Sequence, residues 1–168
     1  MQAGNSKEQQ AEKVVRELLI PSRICEVSLR NDWPEIYFEN PKLQTESSLW
    51  IDSDWRIEPA PQILSQLTEK QSVMVLLGEL AGDEVNDIHC LPDGGLIVEL
   101  ESKQRLIIAG VPQDQGIIEP WILSERGRGT TEGAAKVVAI ARDGFAVWAR
   151  EPTARPAKNA KADSPHHK

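Results

Sequence analysis

The stretch ICEVSLRNDWPEIYFENPKLQTESSLWIDSDWRI, residues 24–57, carries the pattern that decides the fold. Apolar and polar residues alternate in short runs, and the turn residues Asn31, Asp32 and Pro34 separate the first two runs. Such alternation is typical of strands that bury one face of a sheet. We therefore expect antiparallel strands at about residues 22–30, 34–39, 43–51 and 54–58.

A second stretch, residues 85–123, follows the same order of apolar runs and turns. Its hairpin turn is PDGG, in which glycine supplies the left-handed backbone that tight turns need. The last strand of each stretch carries a tryptophan, Trp55 or Trp121. Recurrence at a fixed period indicates an internal repeat, so we expect two repeated β-meanders that share one core. The expected repeats span residues 20–58 and 80–124, and the expected strands of the second are 84–91, 95–101, 104–110 and 118–124.

Helices are expected before each meander. Residues 6–20 predict an amphipathic helix with Ser6 as its N-cap and Pro21 as its stop. Residues 62–70 predict a short bridging helix from the spacing of their apolar residues. The apolar run at residues 73–77 suits either a buried strand or a helix, and we favour a helix because the corresponding stretch before the first meander is helical.

The remaining segments complete the expected domain. Residues 136–149 hold an Asp-Gly turn between two apolar runs, which predicts an extra hairpin outside the repeat. Residues 126–134 are glycine-rich and predict a loop, while residues 151–168 lack large apolar side chains and predict a disordered tail. The sequence thus predicts a single α+β domain, residues 1–150, mainly antiparallel β, with an N-terminal helix and short bridging helices.

The charge of the chain is acidic and unevenly distributed. The formal net charge is −7. Residues 151–168 hold four basic and two acidic side chains, so the other residues carry −9. An acidic body repels nucleic acid and attracts basic partners, although surplus acid also serves simply to keep a protein in solution.

Two further observations bear on the compartment. The chain has no apolar run long enough to cross a bilayer and no secretory leader, which predicts a protein that is neither membrane-spanning nor secreted. Its two cysteines, Cys25 and Cys90, suit a reducing compartment. We therefore expect a cytoplasmic protein.

Three motifs suggest chemistry, and each lacks a required part. Asp52, Asp54 and Glu58 offer oxygen ligands, but a calcium loop also needs a central glycine and a bidentate glutamate at fixed spacing. Residues 127–133 are glycine-rich like a phosphate loop, but no Lys-Ser or Lys-Thr pair follows the second glycine. We expect a polar turn and a linker at these places.

The third motif combines Cys25, His89 and Cys90. A structural zinc site usually takes four ligands in close pairs, and a thiol nucleophile needs a base that faces it. Because His89 and Cys90 are consecutive in a predicted strand, their side chains point to opposite faces. We expect both cysteines to be buried as small apolar residues, with no metal and no cofactor.

The tryptophans divide into two groups. Trp55 and Trp121 occupy equivalent places in the repeats and are expected in the core. Trp50 alternates with apolar neighbours and Trp33 lies in a turn, so both are expected either at a partner interface or in shallow packing under a neighbouring loop or helix.

The succession LWIDSDWRI at residues 49–57, a helical spacer, GLIVEL at residues 95–100 and EPWIL at residues 119–123 resembles a group of small bacterial proteins. These proteins are mostly uncharacterised, and many of them resemble immunity proteins that are encoded beside polymorphic toxins. The resemblance covers about residues 20–124. It implies neutralisation of a toxin by binding, and it carries over no functional residues, because immunity proteins of one fold recognise unrelated toxins.

We therefore expect a non-enzymatic binding protein of the immunity or inhibitor type, whose acidic surface meets a basic toxin. The alternative is a structural or adaptor subunit of a protein complex, or a homodimer. The residues expected to bind the partner are Trp33, Trp50, Asp52, Asp54, Glu58, Asp83, Glu84 and Asp87.

Overall fold

The computed structural model describes residues 6–63, 65–126 and 134–149. These residues form an α+β fold in which every pairing between named strands is antiparallel. The predicted tail and most of the predicted glycine-rich loop lie outside the described residues. In chain order the elements are α1 (Lys7–Leu19), β1 (Arg23–Arg30), β2 (Trp33–Asn40), β3 (Thr45–Ile51), β4 (Trp55–Glu58), α2 (Glu69–Gly78), β5 (Val85–Cys90), β6 (Leu96–Leu100), β7 (Arg105–Ile108), β8 (Trp121–Arg126), β9 (Lys136–Ile140) and β10 (Gly144–Trp148).

The strands form two sheets. The larger has the order β1-β2-β3-β8-β9-β10, and the smaller has the order β4-β7-β6-β5. The predicted hairpin at residues 136–149 is confirmed as β9 and β10, and Gly144, the first residue of β10 after the turn, has a φ of 83°. Apolar residues from both sheets and from α1 meet in one core.

The fourth strand of each predicted meander leaves its own sheet. β4 follows β3 in the chain but pairs with β7, while β8 follows β7 but pairs with β3. The expectation of two four-strand meanders is therefore wrong at the fourth strand, because alternation shows which face of a strand is buried and not which sheet it joins. The repeat itself stays a prediction.

The tryptophans of the two exchanged strands differ in burial. Trp121 is fully buried, its Nε1 donates to the Gly94 carbonyl at 2.8 Å, and its ring centroid lies 5.8 Å from that of Phe145. Trp55 packs against the core but is only partly buried. The core position is confirmed for Trp121 and holds only in part for Trp55.

Helix α1 agrees with the helix that the sequence predicts, whereas the short helix predicted between the two meanders differs from the one observed. Ser6 caps α1 in a capping box with Gln9, as its position predicts. The run at residues 73–77 is helical, within α2, which starts after the Thr68 cap. The expected helix at residues 62–70 is wrong for the described residues before Glu69, because the capping box of Thr68 sets the first helical residue further along the chain. Among the described residues, neither helix has the length and apolar character needed to span a bilayer.

A candidate protein-binding face

One face of the six-stranded sheet has neither helix packed on it. The buried side chains of α1 and α2 belong to the core cluster, so both helices lie on the inner side. The outer side carries Trp33, Tyr37, Trp50 and Trp148, which are half of the eight aromatic residues in the chain. We call this surface the aromatic face.

The strand register brings these side chains into rows. Trp50 on β3 is paired with Glu35 on β2 and with Ile122 on β8. Ile122 is paired in turn with Val138 on β9, which is buried although it lies outside the core cluster. Side chains that face the same way on neighbouring strands contact one another. The aromatic face thus has its own apolar patch, separate from the core.

A network of polar contacts among Glu35, Tyr37 and Arg126 lies on the same face. Glu35 is only 5% exposed, and it accepts a hydrogen bond from Arg126 Nη2 at 3.1 Å and another from the Tyr37 hydroxyl. The Arg126 guanidinium also stacks over the Tyr37 ring, 5.0 Å from the centroid. Burial and then the bond to Glu35 raise the pKa of Tyr37. Since each polar group satisfies another, the network holds these side chains in one arrangement.

The two tryptophans at the borders of the aromatic face are its most exposed aromatic side chains. Trp148 is 52% exposed and Trp33 is 39% exposed. Lys136 places its Nζ 5.7 Å from the centre of the Trp148 ring. Trp50, between them, is half-buried, and its Nε1 is enclosed with no acceptor among the described residues. Large aromatic side chains left on a surface are typical of binding hot spots.

Carboxylates gather at the end of the face where β3 leads into β4. Burial, and next the charge of Asp114, raise the pKa of Asp52. Asp54 accepts a hydrogen bond from the Gln113 backbone N–H at 3.2 Å. None of the ion pairs among the described residues includes any of these three aspartates. We call Asp52, Asp54 and Asp114 the acidic rim.

Trp33 and the acidic rim belong to the same end of the sheet. Trp33 lies two residues before Glu35, and Asp52 lies two residues after Trp50, the partner of Glu35. Because β2 and β3 are antiparallel, the start of β2 and the end of β3 lie at the same end of the sheet. Of the predicted residues, Trp33, Trp50, Asp52 and Asp54 lie at this end of the sheet.

Two of the other predicted acids lie on the outer side of the four-stranded sheet and are already paired. Glu58 bonds Arg56 and Arg105, each at 2.8 Å, and the bond from Arg56 is the largest cause that lowers its pKa. Asp87 pairs with Arg16, and its pKa is lowered first by the backbone N–H of Ile88 and then by Arg16.

Asp83 and Glu84 lie apart from both groups, in the connection between α2 and β5. Asp83 Oδ1 accepts hydrogen bonds from the backbone N–H groups of Glu84 and Ser102, so it helps to hold the local loop. The acidic residues named from the sequence therefore do not form one surface.

Several residues of the aromatic face escaped the sequence reading. Tyr37 and Trp148 alternate with residues that pack on the core, which places them on an outer side, but only the β3–β8 and β8–β9 pairings show that they share a sheet. Arg126 and Asp114 have no local signal, because their partners lie on segments distant in sequence.

The cysteines occupy different environments. Cys90 is buried, which raises the pKa of its thiol to about 12. Cys25 is exposed, contrary to expectation, because a register shift between Ile24 and Glu26 turns it away from the core; its Sγ donates to the Tyr37 carbonyl at 3.4 Å.

The chain matches no protein-family model, no curated protein and no solved structure.

Proposed function

We propose that the protein is a non-enzymatic binding protein of the immunity or inhibitor type, and that its aromatic face and acidic rim contact a basic protein. The observation that supports this most is the placement of four aromatic side chains on one sheet face that neither helix covers, beside three carboxylates with no described cationic partner. Free cysteines and an acidic net charge are in keeping with a cytoplasmic location.

The two parts of the site have different physical roles. Exposed tryptophans bury a large apolar area on binding and lose little rotamer entropy, so they mainly slow dissociation. Unpaired carboxylates steer a basic partner and mainly raise the association rate. The Tyr37–Glu35–Arg126 network is ordered before any partner arrives, which reduces the entropic cost of binding.

A homodimer through the same face is the second candidate. The face carries basic side chains, Arg126 and Lys136, as well as the acidic rim. A surface with both signs of charge can meet a second copy of itself across a two-fold axis. The internal repeat, which bears on the origin of the fold and not on binding, also remains a proposal.

Binding from native lysate, followed by kinetics with the purified binder, tests the proposal. The bait is the whole chain, and the face variant is Trp33→Ala with Trp148→Ala. The matched control is Met74→Ala with Val75→Ala, which removes exposed apolar side chains from α2. We expect the binder to be retained by parent and control and lost by the face variant. Equal retention by all three would contradict the proposal.

Charge reversal then separates local steering from net charge. Asp52→Lys with Asp54→Lys should slow association and flatten its dependence on salt between about 50 and 500 mM. The control is Glu84→Lys with Glu101→Lys, which changes the net charge equally at exposed positions away from the face. If both pairs slow association alike, the acidic rim has no special role. Sedimentation of the purified chain as a dimer that the face variant converts to monomer would favour the homodimer.

A further inference from the structure

A cluster of possible metal ligands lies on the outer side of the four-stranded sheet. Asp87 and His89 alternate on β5, and Glu99 on β6 is paired with Asp87. Their three ligand atoms all lie within 4.8 Å of one another. His89 Nε2 is 3.4 Å from Asp87 Oδ2 and 3.9 Å from Glu99 Oε1. One imidazole and two carboxylates are therefore close neighbours on this surface.

The two separations from His89 suit a small divalent ion. Zinc binds histidine nitrogen and carboxylate oxygen at about 2.0–2.2 Å, so two ligands of one ion are about 3–4 Å apart. Each carboxylate offsets part of the charge of a divalent cation, and Asp87 can do so through Oδ2 while its Oδ1 stays paired with Arg16. Nitrogen and oxygen ligands without thiolate favour Zn²⁺ or Mn²⁺ over copper(I), and so few oxygen ligands do not favour Ca²⁺.

Asp87 is held in place by groups behind it. Its Oδ1 accepts hydrogen bonds from the Ile88 backbone N–H at 2.9 Å and from the Arg16 guanidinium. Its Oδ2 is the oxygen that faces His89. A carboxylate whose other oxygen is hydrogen-bonded in this way is typical of metal sites, where such contacts orient the ligand.

Arg16 is itself anchored from two sides. Its Nε bonds Glu12 at 3.1 Å, and its guanidinium also donates to the Ile88 carbonyl. The second oxygen of Glu12 accepts a hydrogen bond from the Cys90 backbone N–H at 3.0 Å. Helix α1 thus forms a frame along β5 that fixes one member of the cluster independently of any ion.

We propose that Asp87, His89 and Glu99 bind one divalent ion of the Zn²⁺ type, with its remaining coordination positions open to solvent. The site is separate from the aromatic face and does not depend on the proposed binding function. The competing role for the same residues is an ion-pair cluster in which protonated His89 contacts the two carboxylates.

Calorimetric titration with Zn²⁺ near neutral pH tests the proposal. The host protein is the full chain with Cys25→Ser, His166→Ala and His167→Ala, which removes the exposed thiol and the other two histidines as ligands. We expect one ion per chain. His89→Gln and Glu99→Gln should each weaken binding by tenfold or more, since even residues behind the ligands change metal affinity by about 10–100-fold.

Glu101→Gln is the matched control, because it removes one exposed carboxylate two residues beyond Glu99 and is not a member of the cluster. It should bind Zn²⁺ as the host does. The NMR signal of the His89 ring in the host should shift on addition of Zn²⁺, a readout that needs no ligand variant. Absence of binding at millimolar Zn²⁺, or equal affinity in the host and both ligand variants, would overturn the proposal and leave the ion-pair cluster.

Discussion

At the scale of single residues, Trp121 connects the two sheets. It lies on β8 of the larger sheet, its indole bonds the turn between β5 and β6 of the smaller one, and it is fully buried. Trp121→Ala should lower the free energy of unfolding by about 3–5 kcal/mol, as for other large buried aromatics. Urea unfolding measures this, and Trp148→Ala, at an exposed site, should stay within about 0.5 kcal/mol of the parent. Similar losses in both variants would show that Trp121 is not a core residue.

Replacing Asp52 should stabilise the protein, whereas replacing Trp121 should destabilise it. The raised pKa of Asp52 means that the folded state holds its proton more tightly than the unfolded chain does. Its ionisation costs stability as the pH rises through the raised pKa, and below the ordinary pKa the cost is absent. Asp52→Asn should therefore raise the urea midpoint at about pH 7 and leave it unchanged at about pH 3.

Asp54→Asn, at an exposed carboxyl two residues further along, is the control for the loss of one charge. A lower midpoint for Asp52→Asn at neutral pH would contradict the assigned cause. A residue that costs stability in the isolated protein is a reasonable member of a binding site, since function and stability often conflict there.

The sequence was a good guide to single residues whose role is local. Ser6 is the cap of α1, and Trp121 is a core residue. Cys25 was assigned to the wrong side because one irregularity in the β1 register reverses the direction of a side chain. His89 was considered only with the cysteines, because its contact with Glu99 depends on which strands are neighbours.

At the scale of elements, the β7–β8 connection packs tightly against the β5–β6 turn at Gly110. A Cβ at Gly110 would overlap the backbone of Gly94 and Gly95. Gly110→Ala should therefore lower stability by about 1–3 kcal/mol or more, the range for overpacking. Gly78→Ala, at the end of α2 with open space around it, should instead stabilise by up to about 1 kcal/mol. Thermal unfolding of the two variants should shift in opposite directions, and a neutral Gly110→Ala would show that this packing can relax.

Element types were largely predictable, whereas their assembly was not. Alternation of apolar residues indicated the strands, and α2 followed from its place before β5. Which sheet receives β4 and β8 depends on contacts between residues more than forty positions apart, such as Trp55 with Ile108 and Leu49 with Leu123. No local pattern encodes that choice.

At the scale of the whole molecule, the parts of the chain before and after the β4–α2 connection each supply strands to a sheet of the other. β4 is paired with β7, β8 is paired with β3, and α1 packs on β5 and β10. A fragment of residues 1–70 would leave β3 and β4 without these neighbours and α1 without its support. We expect it to show no cooperative thermal transition by circular dichroism, because small units with unpaired strands bury too little apolar surface. A sigmoidal melt of this fragment would contradict the shared core.

The exchange of β4 and β8 also has a practical consequence. The chain crosses from one half to the other through the connection between β4 and α2, and a break there would leave every strand pairing available to two separate polypeptides. Fragments ending and beginning near residue 64 should therefore be unfolded alone and reassemble when mixed. Fused to two other proteins, they would report whether those proteins come close enough together to restore the fold.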